Sequence, residues 1–300
     1  MDSTRQHSPT DDKNWERVLW RRLPYPDNYV PPRRFLESLR KNANFTPYTY
    51  SPMVVATTSV CQHIANIFTF LSVFIRLKER KSDPRYIIWI SILLFVIGYA
   101  SWEALFFFQG SPLRKDSRSR VMRSAILVFL ALLALAPVLR TLTEATSSDS
   151  IWALSFSLFA LHTLLADYTA PLPHDSHERL TSVLSMNAAI SASVVLASRL
   201  DSDLSVFALI LFALQVFALF PLLRRQLHYA PTAVRLGLTL LLSTTSVVLM
   251  SEHSHMVGWI VSLILIFINF VSPAVMVWAQ RYKNEIRGEW DVAVPVVGGS

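Results

Sequence analysis

From about residue 53 to residue 279 the chain alternates long apolar runs with short charged ones. Eight apolar stretches can be marked, at 53–75, 86–108, 121–139, 151–168, 180–200, 204–223, 231–250 and 257–279, divided by charged or proline-containing connectors. A bilayer core about 30 Å thick takes about 20 apolar residues per helix, and lipid offers a bare backbone no hydrogen bonds. The pattern therefore predicts an all-α fold: a polytopic integral membrane helix bundle of about eight transmembrane helices over 53–279. The stretches 121–139 and 151–168 are short for a bilayer. They predict little tilt, a locally thinned membrane or a re-entrant pair.

Residues 1–52 read as a polar N-terminal arm. Residues 1–12 carry no apolar period and are expected to be disordered. Residues 14–22 place Trp15, Val18 and Leu19 on one face of a short helix capped by Asn14, and 33–42 do the same with Phe35, Leu36 and Leu39. Between them LPYPDNYVPP is an extended, proline-stiffened link. A basic, aromatic, amphipathic arm suits a membrane surface or a partner protein. No secretory signal peptide is evident, so the first span is expected to target the chain. Residues 280–300 form a polar tail.

Charge sets the expected orientation. With eight spans, 21 Lys and Arg fall on the side of the termini and 7 on the other, which predicts that both termini are cytosolic. The loop holding Arg76, Lys78, Arg80, Lys81 and Arg85 runs against that count. The net charge of +7 lies in membrane-flanking segments and comes with no nucleic-acid module, so no nucleic acid is expected as a partner. The single cysteine, Cys61, excludes an internal disulfide framework.

Candidate chemistry is sparse. The seven glycines form no phosphate-cradling loop, so no nucleotide cofactor is expected. Asp201-Ser202-Asp203 has the form of a metal-binding Asp-x-Asp, but its place between two spans reads as a polar turn that N-caps the second. The pairs His174/His177 and His253/His255 fall on opposite faces of the membrane and cannot share one ion. No metal site and no catalytic residue is assigned. Polar groups inside or at the ends of spans are more informative, because lipid makes them costly: Glu103, His162, Asp167, Asn187 and Asn269, with Arg140 and Glu144 beside the third connector. They read either as hydrogen bonds between helices or as a groove for a lipid head group or partner helix. Small residues along 185–193 predict close helix packing there. The candidate contact residues are Tyr25, Pro26, Asp27, Asn28 and Tyr29 of the arm, with Arg140, Glu144, Asp167 and Asn187.

Five stretches carry a resemblance: WERVLWRRLPYPDNYVPPRRFLESLRKN (15–42), APVLRTLTEATSSDSIWALS (136–155), LSMNAAISASVVLASRL (184–200), FALQVFALFPLLRRQL (212–227) and IRGEWD (286–291). Together, and in this order, they resemble the PIG-C family, the C subunits of phosphatidylinositol N-acetylglucosaminyltransferase. The resemblance implies a multi-pass protein of the endoplasmic reticulum membrane. It implies a non-catalytic subunit of the complex that transfers N-acetylglucosamine from UDP-N-acetylglucosamine to phosphatidylinositol, the first step of glycosylphosphatidylinositol-anchor synthesis. The implied partners are a catalytic PIG-A-type glycosyltransferase, the H, P, Q and Y subunits, a dolichol-phosphate-mannose synthase regulatory subunit, and phosphatidylinositol itself. Two other readings of the residues stay open: a polytopic transporter or lipid scramblase, and an integral-membrane glycosyltransferase with Asp167 or Glu144 as base.

Overall fold

The structure, a computed structural model, describes residues 47–108, 115–143, 146–168, 180–227 and 230–282. The expected arm helices, Tyr25–Tyr29, Glu144, His174, His177 and the tail beyond Tyr282 lie outside these residues. Among the described residues there are eight long helices: α1 (Tyr50–Lys78), α2 (Pro84–Phe108), α3 (Lys115–Thr141), α4 (Ser148–Leu165), α5 (Leu180–Ala197), α6 (Asp203–Leu227), α7 (Thr232–Ser251) and α8 (His255–Ala279). Six of them, all but α4 and α5, are long and apolar enough to cross a membrane.

The short elements are not the expected pair. The third stretch, expected to be short, lies in a helix of 27 residues, because the segment KDSRSR continues it N-terminally. Lys and Arg are good helix formers, and a charged turn can project beyond the apolar core. The short helices are α4 and α5, of 18 residues each. At 1.5 Å per residue each is about 27 Å long, close to the thickness of a bilayer core.

Thr49–Met276 forms one compact unit, the bundle; Pro47, Tyr48 and Val277–Tyr282 belong to a second. Within the second, the Gln280 side chain accepts from the Tyr48 N–H at 2.6 Å and donates to the Tyr48 carbonyl at 2.9 Å. Within the bundle, successive helices run antiparallel. One end holds the start of α1 and the ends of α4 and α6; we call it the N-terminal end, and the opposite one the far end.

Helices α1 and α6 are the most buried of the candidate spans. Phe70 of α1 packs against Phe217 of α6 at 5.2 Å and Phe159 of α4 at 5.8 Å, and Phe207 of α6 meets Phe129 of α3 edge-on at 4.9 Å. Ala189, Ala192 and Ser193 of α5 are fully buried, as small residues at a close helix contact should be. The other four candidate spans turn large apolar side chains outward, among them Trp89, Leu127, Trp259 and Leu263, which suits contact with lipid. Hydrogen bonds stitch the core: Gln62 donates to Thr239 Oγ1 at 2.8 Å, and Ser72 to the Leu249 carbonyl at 3.1 Å. Helix α6 contains a π-helical turn, Gln215–Leu219, and α8 another, Phe267–Val271. The first aims Gln215 at the Ser91 carbonyl of α2, 2.5 Å away.

The far end is closed by charge. Arg80 adopts φ 57° and ends α1 in a left-handed turn, with Lys81 N–H on the Arg76 carbonyl at 2.9 Å. Its guanidinium reaches Asp201 at 2.7 Å. Arg76 pairs with Glu252, Lys81 with Glu79 at 2.6 Å, and Arg140 with Asp203 at 3.1 Å. Three of the basic residues that ran against the orientation count, Arg76, Arg80 and Lys81, are thus matched by acids of the same end.

Candidate functional site

At the N-terminal end, four helices bring polar side chains to one place. His63 of α1 and His162 of α4 are 6 % and 3 % exposed. Their rings lie 4.1 Å apart, tilted by 36°. His162 Nδ1 lies 2.8 Å from both the carbonyl and the hydroxyl of Ser185 on α5. Ser185 in turn donates its hydroxyl to the His162 carbonyl at 2.7 Å. This exchange uses the Ser185 proton, so His162 carries its own proton on Nδ1 and donates. Phe217, in the π turn of α6, sets its edge against the His162 ring at 5.3 Å. The other face of the cluster is Tyr168, just past α4, whose ring stands edge-on to His63 at 5.5 Å. Its hydroxyl is held by the Thr163 carbonyl at 2.9 Å.

Arg224, three residues before the end of α6, completes the group. It donates to the Ser59 carbonyl of α1 at 3.1 Å and to the Asp167 carbonyl at 3.5 Å, and its guanidinium lies 6.0 Å from the Tyr168 ring centre. Ser59 and His63 are four apart on α1, hence on one face. Anchoring on Ser59 therefore lines the guanidinium up with His63. Two features of the cluster are unfinished. His63 Nε2 is buried with no hydrogen-bond partner. Arg224 uses two of its five N–H donors on the carbonyls named above.

The sequence-derived candidates are distributed differently. Of Arg140, Asp167 and Asn187, only Asp167 touches this cluster, through its backbone. Arg140 is at the far end, half-exposed and paired with Asp203. Asn187 lies midway along α5 on its exposed face and hydrogen-bonds no other described residue. The Asp201-Ser202-Asp203 turn does what a cap does: Ser202 accepts from the Ser205 N–H at 3.1 Å, and its two carboxylates face different arginines. His253 binds Ser72 at 3.0 Å rather than its sequence neighbour. Asn269 meets Thr57 of α1 at 3.5 Å. Sequence reasoning found His162 and missed His63, Ser185, Tyr168 and Arg224. A signal existed for His63. Gln62, His63 and Asn66 interrupt an apolar helix at i, i+1 and i+4, and a polar stripe on a spanning helix marks its interior face. Arg224 gave none, because a basic residue at the end of a span reads as an orientation signal.

A bundle of eight described helices, six of spanning length and composition, defines a multi-pass membrane protein. Residues 15–291 match the family described as phosphatidylinositol N-acetylglucosaminyltransferase, GPI2. The chain is 36 % identical over 296 residues to the GPI2 subunit of phosphatidylinositol N-acetylglucosaminyltransferase from Schizosaccharomyces pombe, covering 96 % of this chain and 89 % of that one. It is 33 % identical to the C subunit of the Homo sapiens enzyme, covering 95 % of this chain and 94 % of that one. It is 24 % identical to the GPI2 subunit from Saccharomyces cerevisiae, covering 94 % of this chain and 98 % of that one. The chain therefore belongs to the PIG-C (GPI2) family of phosphatidylinositol N-acetylglucosaminyltransferase subunits. No solved structure matches it.

Proposed function

We propose that this chain is a non-catalytic membrane subunit of the complex that transfers N-acetylglucosamine from UDP-N-acetylglucosamine to phosphatidylinositol, holding the catalytic subunit at the endoplasmic reticulum membrane and presenting the lipid acceptor. Family membership supports the first half of this reading, since the relatives are named as subunits of that transferase. The observation that carries the scaffolding role is Asn187. It sits seven residues past the start of the 18-residue α5, about 10 Å from one helix end and 15 Å from the other, with its amide outward and no partner among the described residues. An amide left without hydrogen bonds in hydrocarbon costs about 2 kcal/mol or more. A polar helix from another subunit removes that cost by bonding it. The arm residues Tyr25–Tyr29 are proposed as a second contact, on the cytosolic side.

The test is affinity purification of the tagged chain from gently solubilised microsomes, wild type beside Asn187→Leu, assayed with UDP-N-acetylglucosamine and phosphatidylinositol. Transfer activity and partner subunits are expected with the wild type. The variant should insert in normal amount and bring down several-fold less of both. Equal recovery of partners with the variant removes Asn187 from the interface. A wild-type preparation with neither partners nor activity refutes the subunit reading.

A further inference from the structure

We propose that Arg224 and His63, framed by Tyr168 and His162, form a site for the phosphate of an anionic phospholipid head group at the N-terminal end of the bundle. This deepens the lipid-presenting half of the function proposed above and rests on it.

Three observations carry the assignment. The first is unfinished valence: a buried imidazole nitrogen with no partner beside a guanidinium with donors to spare. A phosphate oxygen accepts from both, and the planar fork of arginine matches two phosphate oxygens at once. The second is rigidity. Arg224 is held by two backbone carbonyls from different parts of the bundle. The His63 ring lies between His162 and Tyr168, and His162 is itself locked by a reciprocal exchange with Ser185. Donors fixed before the ligand arrives lose little entropy on binding it. The third is depth. Arg224 and His162 each lie three residues inside their helix ends, about 4.5 Å along the axis. The interfacial layer of a leaflet is about 5–7 Å deep, so a guanidinium this near its helix end is within reach of it, while His63 enters the cluster from thirteen residues inside α1.

The donors of the site are a guanidinium and an imidazole, which suit the oxygens of a phosphate ester; the two hydrocarbon chains of a phospholipid would hold that ester at the membrane surface.

The experiment uses the assembled complex in mild detergent. A phosphatidylinositol carrying a photoreactive group near its glycerol is cross-linked and the labelled peptides mapped. Labelling is expected on peptides bearing His63, Tyr168 or Arg224, reduced by unlabelled phosphatidylinositol but not by phosphatidylcholine. Labelling elsewhere, or reduction by millimolar inorganic phosphate at matched ionic strength, overturns the proposal; the latter marks a general anion site. In parallel, Arg224→Gln is compared with Arg225→Gln, which removes the same charge from an exposed neighbour. Arg224→Gln should raise the KM for phosphatidylinositol about ten-fold, leaving the KM for UDP-N-acetylglucosamine and the subunit yield unchanged, while Arg225→Gln moves neither. An Arg224→Gln complex with unchanged KM and labelling refutes the site even if the chain is confirmed as a subunit. Should Arg224→Gln fail to assemble, the wild-type labelling map decides alone.

Discussion

Arg140 separates two meanings of a polar residue beside a membrane span. Read from the sequence, it is a contact for lipid or a partner; in the fold it joins the end of α3 to the start of α6, 3.1 Å from Asp203. The size of that link can be worked out. Two unit charges 3.1 Å apart attract by about 1.3 kcal/mol in water. Both side chains are nearly half-exposed, 42 % and 47 %, so screening and side-chain entropy bring the net value into the range of about 0.2–1 kcal/mol. Arg140→Ala should therefore cost about 0.5 kcal/mol. Asp203→Ala should cost more, about 0.8–1.5 kcal/mol, because Asp203 also occupies the first turn of α6, where a carboxylate stabilises the helix dipole by a further 0.3–1 kcal/mol or so. The charge swap Arg140→Asp with Asp203→Arg should not restore wild-type stability, since it places a cation at a helix N-terminus. Reversible unfolding by steric trapping in bicelles gives the energies, and microsomal synthesis of N-acetylglucosaminyl-phosphatidylinositol gives the function. The coupling in the double-mutant cycle should be 0.2–1 kcal/mol or thereabouts, with synthesis close to wild type. If Arg140→Ala loses ten-fold or more of synthesis at under about 1 kcal/mol of destabilisation, the staple argument is wrong and Arg140 is a functional contact.

Two further outcomes test the packing and the charge of the far end. A Cβ built on Gly258 would lie 2.7 Å from Ser251 Cβ and 2.9 Å from Ser251 Cα, so Gly258→Ala must push α8 from α7 and should cost about 1–3 kcal/mol; adding Ser251→Gly should recover only part, because the backbone clash persists, and full recovery in a steric-trapping measurement would refute the geometry. The Lys81 ammonium bonded to Glu79 holds that carboxyl below its usual range, so the link contributes stability above pH about 4.5 that fades as pH falls through the lowered value; Lys81→Ala should lose that small contribution at neutral pH and converge with wild type in acid, giving a flatter acid limb, and a variant with an unaltered acid limb would show the pair contributes nothing.

The bundle was legible in the sequence because its signal is redundant. Eight apolar runs divided by charge can satisfy their backbones in lipid only as helices, and each run votes independently. Boundaries were less so: hydropathy puts the start of α3 at residue 121, whereas the helix begins at Lys115, since hydropathy marks where lipid ends and not where hydrogen bonding ends. The site was harder to read for a related reason. His162 could be found, because an imidazole inside a span is costly and calls for an explanation. Its partners could not, because neither Ser185 nor Tyr168 is unusual in a membrane helix or at its edge, and Arg224 carries the same sequence signature as Arg225, which is exposed. What distinguishes the two arginines is the azimuth of α6. The five-residue π turn just upstream shifts that azimuth, and hydropathy does not report it.

The two ends of the bundle differ in what their arginines face: mainly carboxylates at the far end, and backbone carbonyls for Arg224 at the N-terminal end. At the far end Arg76, Arg80, Lys81 and Arg140 each face a carboxylate, and Arg199 donates to the carbonyls of Thr143 and Thr146, with its Nε and His253 Nδ1 left buried without a hydrogen bond. Groups paired within the chain hold helices together and have little left to offer a ligand. At the N-terminal end Arg224 binds only carbonyls, His63 Nε2 has no partner, and, nearer mid-helix, Asn187 faces outward. Such open valences are costly in a membrane unless something outside the chain completes them. Substitutions at the far end should accordingly shift unfolding energy while leaving acceptor KM alone. Those at Arg224, His63 and Asn187 should move acceptor KM or partner recovery with a smaller effect on unfolding. A set of variants in which both ends shift stability and KM in the same proportion would erase the distinction.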